Sequence, residues 1–128
     1  MSDERALRAV ENFRRAVAAL DRSATTPITE PRDLSGIVKD FELVYELSWK
    51  TLKKVLEAAG HSPGTAREVY QVAYQTGFVQ DESGWVEMID DRNRTVHTYN
   101  ETFARELAGR IRDRYLPLFR DLGERFPR

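Results

Sequence analysis

Apolar positions along this chain recur every three or four residues nearly from end to end, the spacing of helices that bury one face. Leu7, Val10, Phe13, Val17 and Leu20 form the first stripe, and Arg8, Glu11, Arg14 and Arg15 occupy most of the rest. The pattern predicts a helix that opens near Ser2 or Asp3, both good N-caps, and stops around Ser23. Pro27 and Pro31, set among Ser23, Thr25, Thr26 and Thr29, interrupt it, so residues 23–32 are expected to form a loop. Asp33 is expected to cap a second helix running to residue 59, with Gly60 as its stop. On that helix Leu34, Ile37, Val38, Phe41, Tyr45, Leu52, Val55, Leu56 and Ala59 share one broad face. Leu43 and Leu47 lie roughly opposite. They are either a patch for a further element or subunit, or surface leucines that need no explanation.

A turn at residues 61–64 leads to Thr65, a cap for a short helix through residue 76 that Gly77 ends. After a brief polar stretch at 80–84 comes a fourth helix with Trp85, Met88, Ile89, Arg92, Val96 and, if it continues, Tyr99. The fifth segment carries Phe103, Leu107, Ile111, Tyr115, Leu118 and Leu122, and Pro117 predicts a kink or break near Tyr115. No segment has the alternation of a strand. The expected architecture is all-α: an antiparallel up-and-down four-helix bundle with one extra short helix, residues 1–128 making a single domain.

Composition narrows the chemistry. Hydrophobic residues make up 41% and charged residues 32% of the 128, which fits a folded chain with a core and a highly charged surface. No apolar run is long enough to span a bilayer and no apolar leader follows Met1, so the chain is read as cytoplasmic and without a membrane segment. The absence of cysteine excludes disulfides, thiolate nucleophiles and cysteine metal sites. Twenty Lys and Arg against 21 Asp and Glu leave a net charge of −1, so a strongly basic nucleic-acid binder is not advertised, though a local basic patch is compatible with it.

Phosphate-cradling and dinucleotide-binding glycine loops are missing, as is a histidine pair spaced for zinc. No metal site and no cofactor are expected. Asp90-Asp91 is read as solvated or paired with Arg94, four residues beyond Asp90. Nucleotidyl transfer needs carboxylates gathered on a sheet, so a chain without strands is not itself a nucleotidyltransferase.

The unusual stretch is Asp91-Arg92-Asn93-Arg94-Thr95-Val96-His97-Thr98-Tyr99. Arg92 falls within about 60° of Trp85, Met88, Ile89, Val96 and Tyr99 on a helical wheel, which sets a guanidinium in an apolar stripe. It either snorkels, pairs with Glu42 or Glu46 of a neighbouring helix, or awaits an anionic ligand. Asn93 and His97, four apart, share a face on which the amide could fix the imidazole tautomer. An arginine for phosphate charge and a histidine for proton transfer are a minimal metal-free kit for phosphodiester cleavage. A base and an acid from one histidine per chain would be supplied by a symmetric dimer. Arg105, Arg110, Arg112 and Arg114 add local positive charge, and Arg110 and Arg114 share a face that could line a groove.

Arg92, four residues, His97, one residue and Tyr99 resemble the signature of HEPN domains of the HepT type. Asp40-Phe41-Glu42, Tyr45-Glu46-Leu47-Ser48-Trp49-Lys50-Thr51-Leu52, Trp85-Val86-Glu87-Met88, Arg92-Asn93 and His97-Thr98-Tyr99 together resemble the nucleotidyltransferase substrate-binding proteins of that group. The resemblance implies a HEPN-like bundle that forms a homodimer and partners a separately encoded minimal nucleotidyltransferase. It further implies a toxin of a toxin–antitoxin pair: a metal-independent ribonuclease acting on RNA such as tRNA. Arg92 would stabilise the scissile phosphate, His97 would shuttle the proton and Asn93 would orient it. Tyr99 matches the tyrosine that the partner adenylylates to silence the toxin. The alternative it implies is a non-catalytic substrate-binding subunit of a two-component nucleotidyltransferase.

Overall fold

Two prolines and a run of small polar residues set where the first two helices separate, and the separation is shorter than the sequence suggests. The computed structural model describes residues 4–127; all of the regular structure among them is helical. The expected cap at Ser2 or Asp3 lies outside the described residues. Helix α1 (Glu4–Thr25) runs two residues past Ser23. The Thr25 and Thr26 hydroxyls donate back to the carbonyls of Asp21 and Arg22 at 2.6 and 2.5 Å, which satisfies the last turn locally. Helix α2 (Pro31–Ala58) starts two residues ahead of Asp33. Pro31 suits a first turn because its missing N–H would have no partner there. Asp33 is therefore not the N-cap. Its carboxylate accepts from the N–H groups of Thr29 and Glu30 at 2.9 and 3.1 Å, pinning the chain that enters the helix. Those bonds hold its pKa below the usual carboxylate value.

Gly60 ends α2 as expected. Its φ of 96° lets the His61 N–H reach the Leu56 carbonyl at 2.9 Å and its own N–H reach Glu57 at 3.0 Å. Helix α3 (Ala66–Gln75) is capped by the Thr65 hydroxyl, which accepts from the Glu68 N–H at 3.1 Å. Helix α4 (Glu82–His97) opens three residues before Trp85, because the Asp81 carboxylate accepts from the Gly84 N–H at 2.9 Å. It ends at His97 and does not continue to Tyr99. The Asn100 side chain accepts from the Phe103 N–H at 2.8 Å and starts α5 (Glu101–Arg110).

Beyond α5 a π-helical turn (Ile111–Tyr115) leads into α6 (Leu116–Arg125). The expected interruption at Pro117 takes this form: the Leu116 N–H bonds the Ile111 carbonyl five residues back, and the helix goes on. An α-helical register would drive the proline ring into the carbonyl of residue 113. Widening by one residue relieves that clash.

Cross-helix contacts tie neighbouring helices together. Arg14 donates to the Gly123 carbonyl at 2.7 Å between α1 and α6, and Tyr70 stacks on Trp85 at 4.7 Å between α3 and α4. Phe41 of α2 stacks on Tyr115 at 5.7 Å, and Phe13, Phe119 and Trp85 complete the buried aromatic centre. Leu47 packs against this core, whereas Leu43 is 55% exposed, so the two leucines opposite the main stripe part company.

Candidate functional site

Helix α4 is held at its first half by apolar burial and in its middle by charge. Trp85, Met88 and Ile89 are buried against the core. One turn on, Asp91 is buried at 4% exposure, contrary to its expected solvated place beside Asp90. Arg110 grips it with two bonds, Nε to Oδ2 at 2.7 Å and a second guanidinium nitrogen to Oδ1 at 3.0 Å. The Tyr115 hydroxyl donates to the same carboxylate. Arg94 stands 3.6 Å from Asp91, not from Asp90, which instead faces Arg67 at 3.6 Å. Burial and the neighbouring Asp91 carboxylate push the Tyr115 hydroxyl far above its ordinary pKa, so it remains a donor.

This cluster fixes the backbone immediately before Arg92. The Arg92 guanidinium crosses to α2, where it meets Glu46, and not Glu42, at 3.3 Å. It lies 5.7 Å from the centre of the Tyr45 ring. Its Nε is buried without a hydrogen-bond partner among the described residues. Glu46 is a junction: its other oxygen receives the Trp49 indole N–H at 3.2 Å and lies 3.7 Å from the Lys50 ammonium. Lys50 thus pairs with Glu46 and Trp49 packs on the core, the plain structural roles that spacing suggests for them.

Asn93 and His97 are exposed on the last two turns of α4. Spaced four apart they share a face, yet no hydrogen bond joins them among the described residues. His97 stands about 140° around the helix from Arg92, so one chain does not bring the guanidinium and the imidazole onto one face. Tyr99 sits in the α4–α5 connection, 49% exposed, its hydroxyl 3.3 Å from the Ser35 hydroxyl near the start of α2. The Arg92–Glu46 and Ser35–Tyr99 contacts tie α4 and the connection after it to α2. Leu43 and Val96, 55% and 65% exposed, fall on the stretch between them.

The arginines of the fifth segment do not line an open groove. Arg110 is spent on Asp91, Arg114 meets Glu87 at 3.0 Å, Arg105 meets Glu101 at 3.5 Å and Arg112 meets Asp113 at 2.8 Å. What sequence reasoning misses is the Asp91–Arg110–Tyr115 cluster. Its only sequence signal is an aspartate at the edge of an apolar stripe, and the π turn that brings Tyr115 round to it leaves no mark beyond Pro117.

Residues 8–128 match the family described as nucleotidyltransferase substrate binding protein like. A Haemophilus influenzae protein named "Probable ribonuclease HepT" is 32% identical over 85 residues, 62% of this chain and 58% of that protein. The match therefore spans little more than half of that relative's length. A crystal structure from Thermus thermophilus superposes with a TM-score of 0.82 at 31% identity, covering 91% of this chain and 99% of that one. A Haemophilus influenzae structure, described as the fold of a substrate binding domain of a nucleotidyltransferase, gives 0.66 at 28% identity over 94% and 96%.

Proposed function

As this chain belongs to the nucleotidyltransferase substrate binding protein like family, we propose that it is a HepT-like toxin subunit paired with a separately encoded minimal nucleotidyltransferase. Its 128 residues act as one cytoplasmic domain, and as a homodimer it cleaves RNA, tRNA included, without a metal ion. The observation that carries the reading is Arg92: a half-buried guanidinium whose Nε lacks a partner among the described residues, on the helix that ends in exposed His97. An unmade bond from a buried donor costs about 1–3 kcal/mol, and a phosphate oxygen would recover it.

In the proposed step the 2′-hydroxyl attacks the adjacent phosphorus as one His97 removes its proton. The bond to the 5′-oxygen breaks and that oxygen takes a proton from the His97 of the other protomer. Arg92 offsets the charge that builds on the phosphoryl oxygens. Asn93 lines the same exposed face as His97 and orients it once RNA orders the site. Exposed Leu43 and Val96 support the dimer, since they offer apolar surface beside Arg92.

Tyr99 is the proposed modification site. Its exposed hydroxyl would attack the α-phosphorus of ATP, release pyrophosphate and lose its proton to solvent, leaving an AMP group that repels RNA from Arg92. Intact-mass measurement after co-expression with the cognate nucleotidyltransferase checks this: one AMP per chain, absent from Tyr99→Phe, is expected. Cleavage of total tRNA by the unmodified dimer in EDTA tests the activity. The second reading is a substrate-binding subunit that holds a phosphate on Arg92 without cutting. The wide angle between Arg92 and His97 on α4 favours it, and a dimeric, unmodified protein that cuts no RNA would establish it in place of the first.

A further inference from the structure

The arginines on α3 to α6 are tied to carboxylates, and positive charge gathers elsewhere. Between the first half of α1 and the second half of α2 runs a groove of about 310 Å³. Arg5 and Arg8 line one wall and Lys50 and Lys54 the other, and no carboxylate lines it. Its floor is formed by Ala9 and Thr51, the threonine hydroxyl donating to the Ala9 carbonyl at 3.5 Å, with Leu47 and Asn12 at the end nearer the middle of the helices. Small residues at the floor let the two backbones approach and leave the long cationic side chains standing as a trough. Among the described residues, Arg8 and Lys54 have no acidic partner within ion-pair distance.

The trough leads to the candidate site. Lys50 shares Glu46 with Arg92, at 3.7 and 3.3 Å from its two oxygens. From Glu46 to Lys54 the α2 axis rises about 12 Å, so cations follow one another away from Arg92 along a single direction. A chain with net charge −1 that concentrates cations in one channel presents a local attraction that its overall charge conceals.

We propose that this α1–α2 groove binds the phosphate backbone of single-stranded RNA and leads it to Arg92; the identity of the ligand as RNA rests on the function proposed above. Arg8, Lys50 and Lys54, with Arg5, contact successive phosphates, and the alkyl stems and Leu47 give the bases an apolar surface. Contacts to phosphates carry no sequence information, so selectivity comes from the site at its end.

Fluorescence anisotropy of a labelled oligouridylate of about 15 nucleotides, titrated with dimeric protein over a range of salt, tests the proposal. His97→Ala is the background, so that the RNA survives. In that background Arg8→Ala with Lys54→Ala is expected to weaken binding about tenfold near 0.1 M salt and to reduce the slope of log K against log salt by about 1.4, roughly 0.7 per lost phosphate contact. Arg22→Ala with Arg32→Ala removes the same charge at the far ends of these helices and should leave the slope unchanged. Equal losses in both pairs, no loss in the groove pair, or no binding of RNA by the parent protein would each overturn the groove. Cleavage of the same RNA by protein with His97 intact separates the two proposals. Cutting that persists when the groove variants bind normally keeps the ribonuclease and removes the groove; groove-dependent binding with no cutting does the reverse.

Discussion

Asp91 is the side chain on which the placing of Arg92 most depends. Its carboxylate is 5% exposed and answered by the Arg110 fork and the Tyr115 hydroxyl, with the Arg94 guanidinium 3.6 Å away. Removing one member of such a set leaves the others unmatched. Because Arg110 retains 27% exposure, water softens the loss, and Asp91→Asn is expected to cost about 2–3 kcal/mol in urea unfolding. Tyr115 adds a pH signature. Its pKa is raised in the folded chain by burial first and the Asp91 hydrogen bond second, from an ordinary value of 10.0. Above that pH the unfolded chain releases the proton and the folded chain keeps it, so the stability from this group is complete below about pH 10 and is lost as pH climbs further. Unfolding midpoints across that range should fall more steeply for wild type than for Tyr115→Phe; parallel curves would show that the hydroxyl is not held in this way.

At the scale of elements, the break between α4 and α5 decides what Tyr99 can do. Asn100 makes it, by capping α5 through the Phe103 N–H at 2.8 Å. Asn100→Ala should lower stability by about 1 kcal/mol, measured by thermal or urea unfolding. How much of the fold is readable from sequence depends on how local each signal is. The stripes of α1 and α2, the glycine stops at Gly60 and Gly77 and the Thr65 cap depend on residues within one turn, and the helices are where the pattern puts them. Asp33 misleads as a cap because Pro31 can begin a helix as readily as it can exclude one. The end of α4 is ambiguous because the apolar spacing runs on from Val96 to Tyr99 and resumes at Phe103, and only Asn100 between them competes for the backbone. Of the site, Arg92 in an apolar stripe and its pairing with Glu46 are legible, the glutamate as one of two choices. The burial of Asp91 is not, because its partners are remote in sequence: Arg110 lies at the end of α5, and Tyr115 reaches the carboxylate from the π turn that follows.

At the scale of the whole molecule, the exposed Leu43 and Val96, the half-buried Arg92 and the outward His97 lie around one end of the α2–α4 surface. A second copy set against that surface would cover the apolar residues and bring a second imidazole towards the first. Leu43→Glu with Val96→Glu is expected to weaken the dimer about a hundredfold in sedimentation while leaving helicity unchanged, since burying each lost side chain is worth about 1.5 kcal/mol or more. A dimer that persists would place the interface elsewhere. The proposal that Arg92 and His97 together cleave RNA without a metal ion meets its most direct test in a single-turnover rate. One defined RNA is cut in EDTA by the unmodified dimer and by its His97→Ala and Arg92→Ala forms. Cutting by wild type and a loss of about a hundredfold or more in each variant are expected. Wild-type protein that leaves the RNA whole, or a His97→Ala dimer that cuts it at the same rate, would contradict the proposal.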